Sequence, residues 1–185
     1  MNAAELLGQY QNGTRDFQGI DLDRANLQNV KLNQIDLTEA RLIEVDFTGA
    51  NLERAIFDRA SLELSNFTQT KLTQASFRSA CLRSVMLYKA ALGKAQLQKA
   101  NLSQAILKRG FLREANLSQA KLVAADLSQA NLIDADLTGA DLSQANLAGA
   151  FLQGANLARA SLEDVDLKET VLTGAIMPNG KVFVG

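Results

Sequence analysis

Residues 125–159 read ADLSQ-ANLID-ADLTG-ADLSQ-ANLAG-AFLQG-ANLAR, a five-residue repeat that decides the fold. The spacing extends outward in both directions. Every fifth residue from Phe17 to Leu172 is Leu or Phe, which makes 32 consecutive repeats, and Met177 adds an apolar 33rd. A small residue, usually Ala, stands two places before each of these central residues, and the position between them is often Asp or Asn. A repeat this long and unbroken predicts a solenoid.

The period of five restricts the backbone. In an α-helix five residues advance about 500°, so successive Leu side chains would spiral around all sides and leave no buried face. In a straight strand an odd period would place successive Leu side chains on opposite faces. An extended segment does point the Ala and the Leu of one repeat the same way. The chain must therefore turn after each repeat, which predicts a coil with short sides, stacked as a parallel β-helix.

The positions of phenylalanine indicate how many sides the coil has. Phe47, Phe57, Phe67 and Phe77 recur every ten residues. Central residues 20 apart are both Phe in two cases, at 47/67 and 57/77, whereas central residues 15 apart never are. A coil of 20 residues with four sides explains this pattern, because Phe then stacks on Phe along two opposite walls. A triangular coil does not explain it.

The A-[D/N]-L-x-x pattern resembles the pentapeptide-repeat proteins over about residues 15–177. The resemblance implies an all-β fold, a right-handed four-sided parallel β-helix with a narrow, dry core. The usual hand of parallel crossovers agrees. About eight coils, stacked about 4.8 Å apart, would form a rod about 39 Å long. Six of the twelve Gly residues occupy the fifth position of the repeat, where we expect a positive φ in the turn.

The ends of the chain depart from the repeat. Residues 1–14 are predicted to form an N-terminal cap containing a short helix, residues 15–177 the solenoid, and residues 178–185 a C-terminal turn and capping tail. Solenoid ends need caps because they expose backbone edges and core. The sequence Pro178-Asn179-Gly180 signals the turn. The apolar tail after it either folds back as a cap or docks on a second subunit, and the sequence leaves both alternatives open.

Composition argues against enzyme chemistry. The chain has no His and one Cys, Cys81, so it lacks the commonest general base and cannot build a thiolate zinc cluster or an intramolecular disulfide. We therefore expect no catalytic residues, no metal and no cofactor. No apolar run approaches the roughly 20 residues that span a bilayer, and the N-terminus shows no signal peptide. The predicted location is the cytoplasm, without membrane association.

Charge is unevenly distributed along the repeat. Residues 1–63 and 114–185 each have a net charge of −5, whereas residues 64–113 carry nine basic and no acidic residues. On a square coil those basic residues encircle the rod as a belt, so we do not expect direct nucleic-acid binding. Some family members that protect DNA gyrase resemble a rod of duplex charge, which makes gyrase inhibition or protection by DNA mimicry the alternative function. The positive middle of this chain argues against it, since B-DNA carries one negative charge per about 1.7 Å.

One wall of the predicted coil carries outward apolar residues in place of Asp or Asn. The candidate interaction patch is Phe111, Ile133, Phe151 and Val171. Exposed apolar patches often mark interfaces. The sequence therefore predicts a non-enzymatic interaction solenoid that presents a rigid surface to a protein partner or to a second copy of itself. It does not identify that partner.

Overall fold

The chain is a right-handed, four-sided parallel β-helix, seen in a computed structural model that describes residues 1–184. Each side of a coil contributes one β-bridge residue, paired in parallel with the residue 20 positions later. The series runs from Asp16 with Asp36 to Asn156 with Ile176 and is interrupted only between Asn146 and Asp166. The four-sided coil expected from the phenylalanine spacing is thus confirmed. The faces are named here by their inward residues: face 1 runs from Phe17 to Met177, face 2 from Leu22 to Leu162, face 3 from Leu27 to Leu167, and face 4 from Leu32 to Leu172.

In the interior coils a typical repeat satisfies four of its five backbone N–H groups with backbone carbonyls. Asp136 donates to the previous coil at 2.9 Å, and Leu137 and Gly139 donate to the next coil at 2.8 and 2.9 Å. Ala140 donates to the Leu137 carbonyl at 2.9 Å and closes the turn. These bonds tie every coil to both neighbours. The rod is therefore held by a continuous hydrogen-bond ladder as well as by its core.

The fifth N–H explains why Asp and Asn recur before the central residue. Thr138 has no backbone acceptor, and the Oδ1 atom of Asp136 accepts its N–H at 2.9 Å. Every Asp or Asn at this position in the solenoid accepts the N–H two residues on, at 2.9–3.2 Å. This is the Asx turn, in which a side chain replaces a backbone acceptor. At Asp46, burial raises the pKa of the carboxyl, but hydrogen bonds from Thr48 and Gln28 outweigh it and lower the pKa.

The turn requires a left-handed residue, but not glycine. At the fifth repeat position from Gly19 to Gly174, with the exception of Glu169, φ lies between 53° and 74°, at glycines such as Gly139 and equally at residues such as Lys89 and Gln129. A non-glycine residue in this region costs about 1–2 kcal/mol. The same residue donates its N–H to the next coil, as Gln129 does at 2.9 Å, which offsets that cost. The expectation of positive φ at this position holds at all of these turns but one, and most of the residues that adopt it are not glycine.

The core is a column of Leu, Phe and Ala. The Leu or Phe at the centre of each repeat is buried from Phe17 to Leu157, and the small residue two places earlier is buried beside it from Ile35 to Ala160. Phe47 and Phe67 stack with ring centroids 4.7 Å apart, as two walls of Phe require. Burying one such side chain contributes about 1.5–3 kcal/mol, so the column supplies the main stabilisation of the rod.

Helix α1, Ala3–Gln11, covers the first coil. A capping box at Asn2 and Glu5 starts the helix, and Leu6 is completely buried against the core. The Tyr10 hydroxyl donates to the Asn33 carbonyl at 2.9 Å, which ties the helix to face 4. The short N-terminal helix expected from the sequence is confirmed.

The C-terminal end is covered unevenly. The tail folds back and pairs in antiparallel fashion, Val182 with Ile176, and the Phe183 N–H donates to the Ala175 carbonyl at 2.8 Å. The last residue of the predicted tail, Gly185, lies outside the described residues. On faces 2 and 3 the final central residues, Leu162 and Leu167, are only partly buried. The hydrogen-bond ladder therefore ends under the tail on face 1, while the last core residues of faces 2 and 3 are less well covered.

Candidate interaction surfaces

Face 4 brings three of the four predicted patch residues into one outward row. Phe111, Phe151 and Val171 lie on a ladder in which Asn131 separates the two Phe residues, and they are 55%, 43% and 37% exposed. The two rings are two coils apart, which corresponds to about 10 Å. Ile133 lies on the turn beside this row and is partly buried. The residues share one face, while their role as a binding patch stays a prediction.

A second outward apolar pair lies on face 3 and was not predicted from the sequence. Met86 and Ile106 are outward neighbours on consecutive coils, 39% and 40% exposed. The signal was available, because both occupy the position that usually holds Asp or Asn, 20 residues apart. The turns that follow them carry Tyr88-Lys89 and Lys108-Arg109. We call this group the face 3–4 corner, and its members are Met86, Tyr88, Lys89, Ile106, Lys108 and Arg109.

The basic belt is less uniform than the sequence indicates. Three of its members pair with carboxylates: Arg78 with Asp58 at 3.7 Å, Lys94 with Glu114 at 3.3 Å, and Arg113 with Asp134 at 3.5 Å. Within residues 1–184, the cations of the face 3–4 corner have no carboxylate within 4.0 Å. Six cations of the belt are therefore unpaired among the described residues, and three of them, Lys89, Lys108 and Arg109, lie together on two consecutive turns where faces 3 and 4 meet.

Tyr88 reports the positive potential of that corner. Its hydroxyl lies beside Arg109, and the Lys89 ammonium lies over its ring, 5.3 Å from the centroid. The proximity of Arg109 to the hydroxyl is the largest cause, and the charge of Lys89 adds to it, so that the pKa of Tyr88 is lowered below its ordinary value. Cations stabilise a phenolate, so the direction of the shift follows from the geometry.

Cys81 is held in its thiol form. Partial burial raises its pKa and the neighbouring Glu63 carboxylate raises it further, and together they outweigh Arg83, which acts in the opposite direction. A thiol becomes a good nucleophile only as the thiolate, which a nearby cation or base would favour.

The described residues contain no group of three or more His, Cys, Asp or Glu side chains that could hold a metal ion. In the described part of the chain, no helix has both the length and the apolar character to cross a membrane.

Comparison with known proteins identifies the repeat. The family model for pentapeptide repeats matches residues 20–59, 55–87, 95–134, 112–149 and 135–174. The chain belongs to the pentapeptide-repeat family. No curated protein matched its sequence.

Two solved pentapeptide-repeat structures place the fold among its relatives. HetL from the cyanobacterium Nostoc sp. strain PCC 7120, which is involved in heterocyst differentiation regulation, is 30% identical with a TM-score of 0.65, over 99% of this chain and 100% of HetL. Full-length QnrB1, a plasmid-mediated fluoroquinolone resistance protein, is 17% identical with a TM-score of 0.51, over 89% of this chain and 84% of its own. At that identity, the second likeness concerns the fold alone.

Proposed function

We propose that this pentapeptide-repeat protein is a non-enzymatic interaction module whose rigid rod presents face 4 to a protein partner. One observation carries the proposal: Phe111 and Phe151 stand 55% and 43% exposed in one row. Leaving such rings in water is unfavourable by about 25 cal/mol per Å² of apolar surface, and a partner would remove that cost. Aromatic side chains are also enriched at the energetic centres of interfaces.

The architecture supports this role. A solenoid offers a long, flat and pre-ordered surface, so little conformational entropy is lost when a partner docks. The likeness to HetL, a protein involved in a regulatory process, is consistent with a rod that acts by contact. A single thiol with no disulfide partner suits the reducing cytoplasm, which is the compartment we propose. The proposed function requires no cofactor.

DNA mimicry of the kind that would act on gyrase receives no support from the charges. A mimic needs about three negative charges per coil to match duplex DNA. Residues 64–113, in contrast, carry nine basic and no acidic residues. The protein–protein proposal does not depend on an acidic surface.

The deciding experiment replaces both rings with Ser, as F111S/F151S. Both side chains point outward, so we expect the fold to persist while association with the partner or with a second copy weakens. Sedimentation velocity measures self-association, and quantitative affinity capture compares partner recovery with the wild type.

The matched control is I56S/L64Q, which removes two exposed apolar side chains from faces 1 and 2. Ile56 is 36% and Leu64 58% exposed. If the control and the face-4 variant associate as well as the wild type does, face 4 is ordinary surface and the proposal fails. If the face-4 variant instead unfolds, the rings belong to the core and the register is wrong there.

A further inference from the structure

The face 3–4 corner lacks the internal hydrogen-bond acceptor of the repeat. In half of the 32 repeats an Asp or Asn side chain accepts a hydrogen bond from the N–H two residues on, as Asn66 does from Thr68 at 2.9 Å. Met86 and Ile106 cannot do so, because their side chains have no oxygen. Within residues 1–184 the N–H groups of Tyr88 and Lys108 consequently have no protein acceptor.

Other repeats with an apolar residue at this position also leave an N–H free, and the charges distinguish this corner from them. On face 4, for example, Arg113 follows Phe111 but is paired with Asp134 and Glu114. At the face 3–4 corner, the free N–H groups lie on the same two turns as Lys89, Lys108 and Arg109, which have no carboxylate partner among residues 1–184, although the Arg109 Nε donates to the Gln129 Oε1 at 2.6 Å. The nearest acidic residue on the same face, Asp126, lies on the next coil and accepts the Ser128 N–H at 3.0 Å.

We propose that the face 3–4 corner binds an acidic segment of a partner protein. The carboxylates of that segment accept hydrogen bonds from the free N–H groups of Tyr88 and Lys108. The incoming carboxylates would take the position that Asp or Asn side chains hold in neighbouring coils. Lys89, Lys108 and Arg109 neutralise their charge, and charge-assisted hydrogen bonds of this kind are stronger than neutral ones. An aliphatic or aromatic residue of the same segment packs on Met86 and Ile106.

The proposal rests on the proposed function, because it names the chemistry of the protein partner. It adds a second contact area beside face 4, since Phe111 follows Arg109 by two residues. A partner with an apolar area and an acidic segment would engage both areas at once.

The size of the corner favours a protein over a nucleic acid. The preceding and following turns on this edge carry Thr68-Gln69 and Ser128-Gln129, so the charged turns span only two coils, about 5 Å apart. A duplex presents phosphates along a much longer path, and typical binders neutralise about 6–10 of them. An acidic peptide needs only two or three carboxylates beside one apolar residue.

The test uses the full-length chain and labelled twelve-residue peptides with blocked ends. One peptide combines Asp and Glu with central Leu residues, a second replaces each acid with its amide, and a third replaces Leu with Ser. We expect the acidic Leu peptide to bind at least about fivefold more tightly than either of the others. Its titration should shift the backbone N–H resonances of Tyr88 and Lys108 in nuclear magnetic resonance spectra.

Two variant pairs separate the contributions. K108E/R109E should weaken binding at least about tenfold, whereas K31E/R159E, with the same change in net charge at distant positions, should alter it less than about twofold. M86N/I106N restores the internal acceptor and should weaken binding more than M86A/I106A, which removes only the apolar contact. Equal effects of the Asn and Ala pairs would overturn the role of the free N–H groups.

Other outcomes would overturn the proposal as a whole. Equal binding of the acidic and amide peptides would do so, as would a short DNA duplex that binds the corner more tightly than the acidic peptide. Self-association that K108E/R109E abolishes would identify a second copy as the occupant instead. The F111S/F151S experiment tests the proposed function, and the peptide titration tests this inference. Because the peptide binds at the face 3–4 corner and not at the Phe rings, either experiment can fail without the other, and the two failures are distinguishable.

Discussion

The ring of Phe57 lies parallel to the ring of Phe77 on the next coil, with centroids 4.8 Å apart and an interplanar angle of 4°. This separation equals the spacing of stacked β-bridges, so residues 20 apart lie directly above one another. Across the core, Phe57 meets Phe67 edge-on, with centroids 5.9 Å apart and an angle of 89°. Both arrangements are favoured for aromatic pairs. The core thus packs in the same register as the backbone ladder.

This register predicts opposite effects for substitutions two residues apart. Leu117 is completely buried between the coils of Leu97 and Leu137, so L117D would bury an unpaired charge and destabilise the protein by more than about 4 kcal/mol. Gln119 is exposed on the turn, and Q119K should change the stability by less than about 0.5 kcal/mol. Urea unfolding followed by circular dichroism measures both. Equal midpoints would contradict the register.

The Asx turn makes a second, smaller stability prediction. In D136A the Thr138 N–H loses its only acceptor and the Thr138 hydroxyl loses its 2.6 Å bond to the same carboxylate. We expect a loss of about 1–2 kcal/mol, because the turn stays partly exposed and water replaces the acceptor. The control is D136N, which keeps an acceptor oxygen and should lose less than D136A. A loss as large in D136N as in D136A would assign the effect to charge rather than to the hydrogen bond.

The sequence predicts the repeat, the four sides and the inward residues because the Leu period is unbroken and the Phe residues mark the walls. It does not reveal why Asp or Asn precedes the central residue. That reason is a single N–H, at Thr138 and its equivalents, that the backbone ladder cannot satisfy. Once the ladder is known, Met86 and Ile106 are recognisable as two of the positions where this acceptor is missing.

The candidate surfaces were predictable to different degrees. Phe111 and Phe151 are conspicuous in the sequence because large rings replace Asp or Asn at outward positions. The face 3–4 corner is not, since the belt of basic residues gives no indication of which cations are neutralised. Only the positions of Asp58, Glu114 and Asp134 show that Arg78, Lys94 and Arg113 are paired.

Removal of residues 1–13 should promote association without loss of β structure. Leu6, on helix α1, is completely buried against the first coil, and deletion would expose that coil's core and backbone edge. Exposed edges of this kind recruit other chains. Light scattering should detect aggregates or end-to-end oligomers while the circular dichroism of the coils persists. The control is Y10F, which removes the hydrogen bond from Tyr10 to the Asn33 carbonyl but leaves the helix in place, and this variant should stay monomeric. A clean monomer after deletion of residues 1–13 would contradict a capping role.

Titration of Tyr88 tests the electrostatics of the face 3–4 corner directly. The chain has two Tyr residues, so a Y10F background leaves Tyr88 as the only phenol. Arg109 and Lys89 stabilise the phenolate, which lowers the pKa of Tyr88, so ultraviolet absorbance should report ionisation at a lower pH than for a free tyrosine. R109A removes the largest cause of the lowered pKa and should raise the midpoint of the titration toward the ordinary value.

As the matched control, R159A removes a distant cation and should leave the midpoint unchanged. Added salt should raise the midpoint, because exposed charges are screened. A midpoint that R109A does not move would mean that Arg109 lies away from the hydroxyl, and the concentration of positive charge at this corner would lose its support.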